Sequence, residues 1–550
     1  MKCKVEGCPW YMGAYSSGEH QDTEFLTIRT YKSEHIHHAQ DSLIVWHPHR
    51  SSLTSSIVMD DLRSNIDKTS NEIRADLYRE YGVRLNYPQA YRAKERALKE
   101  LNGRVEDSYQ AIPWICDRLI ESDPDTVAKW EGSSNNRFER VFIAYGCSVK
   151  GFIGDCRPIV YIDGCHLSGP YKGTMLSACA YDADNQMFPL AYSIVSGETY
   201  DEWLWFLLNL KETIGSIMIT IVSDRNNAII GAVKEIFGSE RHGYCYRHVK
   251  ENYSAEFLKI NRGRARTSAT TKETALKLLD AIAYARLDED FISAMGKLRL
   301  FNPQLAQWVE TNGDVDKWAL SKFPFNRWDN ITTNIAESFN AWMLKERKHS
   351  VSILIHEHRD KLARKLLASK MAMANWKNGV GPNVEEKVLQ HVTYAENMDA
   401  VYYGDHNFSV RTRCGEATIY VNVDLAQRKC TCLAWQMSGI PCAHACAAIK
   451  VLNGNVYTFV HDWLKVEAQE KIYGNTMRPV ATHDCPRADS PTVTHFLTQT
   501  FLDPPTITRL ARRLKRKRRE SQFQNKKLYH CGRCHEVGHS VRTCKNPNPT

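Results

Sequence analysis

Three carboxylates and three sets of cysteines and histidines are the groups in this 550-residue chain whose types and spacing could do chemistry. Asp163 and Asp224 each close an apolar run, Ile159-Val-Tyr-Ile-Asp163 and Ile217-Met-Ile-Thr-Ile-Val-Ser-Asp224. Side chains at such positions emerge at the carboxyl edge of a sheet, where α/β active sites form. Glu337 follows 113 residues after Asp224, in a segment that a cap at Thr333 or Asn334 would make helical. Three converging carboxylates can hold two divalent ions, one activating a water or a 3′-hydroxyl and one stabilising the leaving oxygen of a phosphodiester. Hard oxygen ligands suit Mg²⁺ or Mn²⁺. A strand-terminal aspartate is more often a turn or cap residue, so each acid gains meaning only from the elements around it.

The Cys/His sets are more specific. Cys430-Thr-Cys432, nine residues, then Cys442-Ala-His444 supplies four ligands with no open position, the form of structural zinc. Cys531, Cys534, His539 and Cys544 have the spacing of a CCHC knuckle, which binds single-stranded nucleic acid. Gly538, Arg533, Arg542 and Lys545 agree with that role, whereas His535 stands where a base-stacking aromatic would be. Cys3, Cys8, His35 and His37 form a third quartet, giving two to three structural zinc ions in all. Cys3 lies two residues from Met1, which suggests a start further upstream. Cys156, Cys165 and Cys179 read as buried strand cysteines, Cys446 as helix core, and Trp203 and Trp205 as packing residues.

The elements that must position these groups follow from periodicity. Strands are expected at Glu24–Thr30, Ile159–Asp163, Thr174–Tyr181, Met187–Ser196 and Ile217–Ser223. Helices are expected at Ser70–Tyr81, from Tyr87 to Leu101, from Asp201 (as N-cap) to Gly215, and from Asn227 to Phe237. Three antiparallel strands, a helix and a further strand is the order of a ribonuclease-H-like α/β domain, although periodicity alone allows other α/β sheets.

Composition sets the outer limits. At roughly 150 residues per domain the length implies three to four units. Apolar residues at 43% and charged residues at 25% exclude a wholly disordered, collagen-like or coiled-coil chain. No run of about 18 apolar residues lacks a charge, so the chain reads as soluble and not secreted, with no membrane partner. Its 17 cysteines then read as metal ligands or core residues rather than disulfides. Of a net charge of +9, seven positive charges fall on Arg512, Arg513, Lys515, Arg516, Lys517, Arg518 and Arg519. That run suggests a nuclear address with incidental phosphate affinity.

Seven ordered motifs carry a resemblance: Asp163-Gly-Cys-His-Leu-Ser-Gly169, Tyr171-Lys-Gly-Thr174, Asp184-Asn-Gln-Met-Phe-Pro-Leu-Ala191, Trp203-Leu-Trp-Phe206, Ser223-Asp-Arg225, Cys245-Tyr-Arg-His248 and Asn334-Ile-Ala-Glu-Ser-Phe-Asn340. Over residues 1–450 the chain resembles plant Mutator-like element transposases. The resemblance implies an acidic DDE triad at Asp163, Asp224 and Glu337 and a helical insertion before the last carboxylate. Cys245 and His248 match the family's Cys-x-x-His signature; two soft ligands do not complete a zinc site, leaving structural, DNA-contacting and metal roles open. The set at 430–444 resembles a SWIM-type zinc finger, and that at 3–37 the WRKY-like zinc fold that opens such transposases.

The expected architecture is therefore multidomain α/β, a ribonuclease-H-like catalytic domain with a helical insertion flanked by small zinc modules. It runs as a zinc DNA-binding module (1–48), a helical DNA-binding or linker region (55–135), a transposase domain (155–350, insertion about 251–325), a SWIM-type finger (405–450), a linker with the basic run (475–525) and a CCHC knuckle (529–546). Implied partners are double-stranded DNA with terminal inverted repeats, single-stranded nucleic acid and a second copy of the chain, in the nucleus. The competing expectation is a domesticated descendant that regulates transcription without catalysis.

Overall fold

The computed structural model describes residues 3, 7–16, 26–36, 51–65, 68–81, 83–102, 105–261, 269–414, 417–485 and 501–505. They fall into two units, Met1–Leu101 and Asn102–Thr550. The first holds an antiparallel hairpin, β1 (Tyr11–Ser16) and β2 (Leu26–Lys32), with a register shift between Gly13 and Ala14. It also holds helices Ser51–Ser64, Ser70–Tyr81 and Tyr87–Asn102 around Val58, Leu62, Ile73, Leu77, Ala93 and Ala97. Two of these helices begin with reciprocal caps. Thr69 Oγ1 accepts from Glu72 N at 3.2 Å while Thr69 N donates to Glu72, and Asn86 and Gln89 exchange bonds of 2.9 Å in the same way.

In the second unit, apolar runs separated by polar turns build a seven-stranded sheet. Its strands are β3 (Val127–Gly132), β4 (Phe138–Ala144), β5 (Ile159–His166), β6 (Thr174–Tyr181), β7 (Met187–Val195), β8 (Thr220–Ser223) and β9 (His242–Tyr244), in spatial order β3-β4-β7-β6-β5-β8-β9. The pairs from β3 through β5 are antiparallel, whereas β5–β8 and β8–β9 are parallel. Strand β5 is buried on both faces through Ile159, Val160, Tyr161 and Ile162, as expected for a central strand carrying helices on either side.

Several elements differ from expectation. Residues 127–132, within the span expected to be helical, form the edge strand β3. Helix Tyr200–Ile214 is capped by Thr199, whose hydroxyl accepts from Glu202 N at 3.4 Å, and not by Asp201. Thr199 has the extended backbone a cap needs, while Asp201 lies in the first turn, where its charge favours the helix dipole. Residues 501–505, in the segment expected as linker, run beside the sheet: Phe138 N donates to Asp503 O at 2.9 Å, Asp503 N donates to Asn136 O at 2.7 Å, and Leu502 is buried.

Between 246 and 318 the described residues form the helices Tyr246–Ile260, Ala269–Tyr284, Asp288–Phe301, Pro303–Asn312 and Val315–Trp318. It has its own core of Tyr253, Leu279, Leu298, Leu305, Val309 and Trp318, so it folds as a lobe rather than a loop. The chain then re-enters the sheet domain through helix Asn334–Trp342, whose Ile335, Ala336 and Phe339 join the main core, and helix Val351–Ala372. Last come strands β10 (Asp399–Gly404), β11 (Asn407–Cys414), β12 (Ala417–Asp424) and β13 (Lys429–Cys430), a four-stranded antiparallel sheet with helix Ala443–Val451 on a shared core. No helix among the described residues is long and apolar enough to cross a membrane.

Candidate active site and metal centres

Because β5 and β8 are parallel neighbours, with Tyr161 opposite Val222, both strands deliver their next acid to the same sheet edge. Asp163 sits near the end of β5 and Asp224 immediately follows β8. The two are close enough to repel: burial, reinforced by the Asp224 charge, lifts the Asp163 carboxyl to about 6. Gly164 N, donating to Asp163 Oδ1 at 3.0 Å, and the nearby His248 oppose that rise, and Glu198 adds to it. Asp224 Oδ1 accepts from Asn226 N at 3.1 Å, closing the turn into helix Asn227–Phe237. From the facing helix, Asn340 Nδ2 donates to Asp163 Oδ2 at 2.8 Å, leaving Asn340 Oδ1 buried without a partner.

Glu337 is on that same helix, one turn before Asn340, but its carboxylate is engaged by Arg247. Arg247 also donates to Asn334 Oδ1 at 3.2 Å. Both residues line a cavity of about 500 Å³ together with Tyr246, Lys250, Asp280 and Ser338. The structure thus brings Asp163 and Asp224 together, adds Asn340, and directs Glu337 to the guanidinium. Among the described residues, the sets of three or more ligand atoms within 4.8 Å of one another are two Cys/His groups, and the three carboxylates are not so gathered. Three anions without a cation repel, and the nearest guanidinium takes one of them. The carboxylate oxygens at the sheet edge, with the orphaned Asn340 oxygen, fit a hard divalent ion.

Cys245 and His248 join three elements. Cys245 N donates to Ser223 O at 2.8 Å beside Asp224, and Cys245 Sγ accepts from Thr333 N at 3.2 Å, ahead of the Glu337 helix. Burial would raise the thiol, but His248 and Thr333 bring it down to about 7, and the thiol in turn raises His248 against its own burial. The pair therefore ties the end of β8 to the helical lobe and to the Glu337 helix.

At the C-terminal sheet, Cys430 ends β13, Cys432 follows it, Cys442 caps helix Ala443–Val451 and His444 lies in its first turn. Cys432 Sγ and Cys442 Sγ are 3.6 Å apart, and His444 Nδ1 is 3.8 Å from Cys430 Sγ and 3.9 Å from Cys442 Sγ. Bonds of about 2.3 Å to a tetrahedral zinc require sulfurs about 3.8 Å apart, so the four residues fit that ion. Cys446 is buried in the helix core and outside the set. In the other unit Cys3, Cys8 and His35 gather, with Cys8 Sγ 3.4 Å from His35 Nδ1 and Trp10 stacked on the imidazole. His37, the CCHC residues Cys531, Cys534, His539 and Cys544, and the basic run Arg512–Arg519 lie outside the described residues. Cys165 and Cys179 are buried in β5 and β6, whereas Cys156, also buried, caps the end of helix Gly146–Asp155 and is not in a strand; burial pushes each thiol above its ordinary range. Trp203 is core, while Trp205 Nε1 donates to Glu131 Oε1 at 2.6 Å.

A mixed sheet with paired carboxylates at its parallel strand ends, followed by a closed Cys/His centre, defines a multidomain α/β protein with a zinc-binding region. Residues 159–252 match the MULE transposase domain, and residues 418–453 match the SWIM zinc finger. The chain is thus transposase-like and zinc-binding, consistent with a Mutator-like transposase or a relative. Among curated proteins none matches.

Two outcomes follow from this geometry. A raised folded-state carboxyl costs stability once ionised, above about pH 6, and costs nothing at a pH low enough to protonate it in both states. Asp163→Asn should therefore stabilise the metal-free protein by up to about 3 kcal/mol at pH 8, with the gain vanishing below about pH 4; denaturant unfolding at the two pH values checks this, and destabilisation at pH 8 would contradict it. Cys432→Ser should lower the zinc content of the full chain by one ion, read by elemental analysis, and unchanged zinc would contradict the four-ligand centre.

Proposed function

We propose that this protein is a DNA transposase that binds terminal inverted repeats and cuts and transfers DNA strands by two-metal phosphodiester chemistry. The observation that carries the reading is the Asp163–Asp224 pair at adjacent parallel strand ends, inside the span that matches the MULE transposase domain. A ribonuclease-H-like fold is supported by the five strands β7-β6-β5-β8-β9, three antiparallel and then two parallel.

Bound divalent ions would supply the activated nucleophile and the charge for the leaving oxygen. Asp163 and Asp224 would hold them, and Glu337 would complete the triad after exchanging Arg247 for the metal. Asn340 fixes one oxygen of Asp163, leaving the other on Gly164 N. The Cys245–His248 pair acts at one remove, holding the β8 end against the loop that carries Thr333.

Two to three structural zinc ions are proposed, from the sets at 430–444, at 3–37 and at 531–544. The N-terminal unit would read duplex DNA, the basic run Arg512–Arg519 would add phosphate contacts and a nuclear address, and the knuckle would take single-stranded nucleic acid or protein. Dimerisation of the chain on its repeats belongs to the same proposal.

A second reading, a domesticated DNA-binding regulator without catalysis, draws on one observation: the Arg247–Glu337 ion pair neutralises the third acid. The test is Mg²⁺-dependent nicking of a duplex carrying the repeats that flank the gene. Glu337→Gln should bind that duplex normally and cut it more than about a hundredfold more slowly, beyond what outer-shell partners of a metal usually cost. Equal cutting by the variant would remove Glu337 from the mechanism, and repeat binding without cutting by the unaltered protein would favour the regulator.

A further inference from the structure

Successive residues of a strand face opposite sides of the sheet, so Asp163 and Gly164 look to opposite faces of β5. Asp163 meets Asn340 on the helix Asn334–Trp342. On the Gly164 side stands Glu198, in the connection between β7 and the cap of helix Tyr200–Ile214. A Cβ placed on Gly164 would lie 2.8 Å from Glu198 Cδ, 2.9 Å from its Oε1 and 3.1 Å from its Cγ. Gly164 has no left-handed backbone that would call for glycine, so what its missing side chain supplies is space. Through that space a carboxylate from the opposite face lies against the strand end that bears Asp163. The Glu198 charge is felt by Asp163 and by Cys165, the residues on either side of the glycine.

We propose that Glu198 is a metal-binding carboxylate of this site, sharing a divalent cation with Asp163 and Asp224. The inference rests on the reading of that edge as a divalent-metal centre. Asp163 would then stand between two donors that reach it from the two faces of the sheet, Glu198 over Gly164 and the unpartnered Asn340 oxygen from the helix. Glu337, whose carboxylate Arg247 already holds, is not needed for this first cation. The set is all oxygen, which selects Mg²⁺ or Mn²⁺ over the zinc taken by the thiolate centres.

The experiment is a Mn²⁺ titration of the zinc-loaded full-length protein without DNA, following the paramagnetic resonance signal of free Mn²⁺. The unaltered chain should bind the ion and Asp163→Asn should lose it. Glu198→Gln should weaken binding by about tenfold or more. Relative to the unaltered chain, that deficit should persist in about 1 M KCl, where charges acting through solvent are screened beyond about 3 Å. Gly164→Ala should reproduce the loss from the strand side, by displacing a carboxylate that remains present, and combining it with Glu198→Gln should add little. Melting of each zinc-loaded, Mn²⁺-free variant at or above the temperature of the unaltered chain establishes that the fold is intact. Binding by both Glu198→Gln and Gly164→Ala equal to the unaltered chain, with Asp163→Asn still defective, would overturn the role of Glu198 and leave the metal centre standing. A Glu198→Gln deficit that disappears at high salt would overturn ligation. No Asp163-dependent Mn²⁺ binding at all would overturn both the proposal and the reading beneath it.

Discussion

The parallel pairing of β5 with β8 is the constraint on which the rest of this structure depends. It sets Asp163 and Asp224 at one sheet edge, where burial and the Asp224 charge disfavour the ionised form of Asp163. A fold that keeps two acids in that position gives up stability there and must recover it elsewhere. The recovery is visible in the apolar strands that precede the acids, in the amides of Gly164 and Asn226 that donate to the carboxylates, and in Asn340 across the edge. Under the proposed function, a divalent ion between the two carboxylates would turn that repulsion into attraction.

The second consequence concerns how a helix arriving from a separate lobe is aligned with this edge. The chain leaves the sheet at β9 and returns more than 80 residues later at helix Asn334–Trp342. Tyr246 N donates to Ile331 O at 2.8 Å and Thr333 N donates to Cys245 Sγ at 3.2 Å, so the outgoing and incoming segments are stitched together beside Asp224. The lobe can then grow around its own core without moving the helix that faces the carboxylates. Arg247, on the first turn of the outgoing helix, is where this arrangement also reaches Glu337.

Much of the sheet was legible in the sequence because β5, β6 and β7 are long apolar runs bounded by polar turns. The edge strands were not. Strand β3 is only partly buried and reads weakly as a strand, and β9 has three residues, too few for any period. Residues 501–505 pair with the segment around Asn136 and Phe138, more than 360 positions earlier, and no local pattern encodes that pairing. At the site, the two aspartates could be found from strand-end placement, and Asn340 could have been found from its position one turn beyond Glu337. The direction of the Glu337 carboxylate could not, because it depends on Arg247, 90 positions away. Zinc spacing was the clearest signal of all, since four ligands separated by one, nine and one residues leave few geometries other than a closed tetrahedron.

The claim that the β5 and β8 edge is a divalent-metal centre is tested most directly by anomalous diffraction from crystals of the full-length protein grown with Mn²⁺. The account predicts a manganese peak bridged by the carboxylates of Asp163 and Asp224, distinct from the zinc at Cys430, Cys432, Cys442 and His444. A map with zinc at the thiolate centre and no manganese between the two aspartates would contradict it.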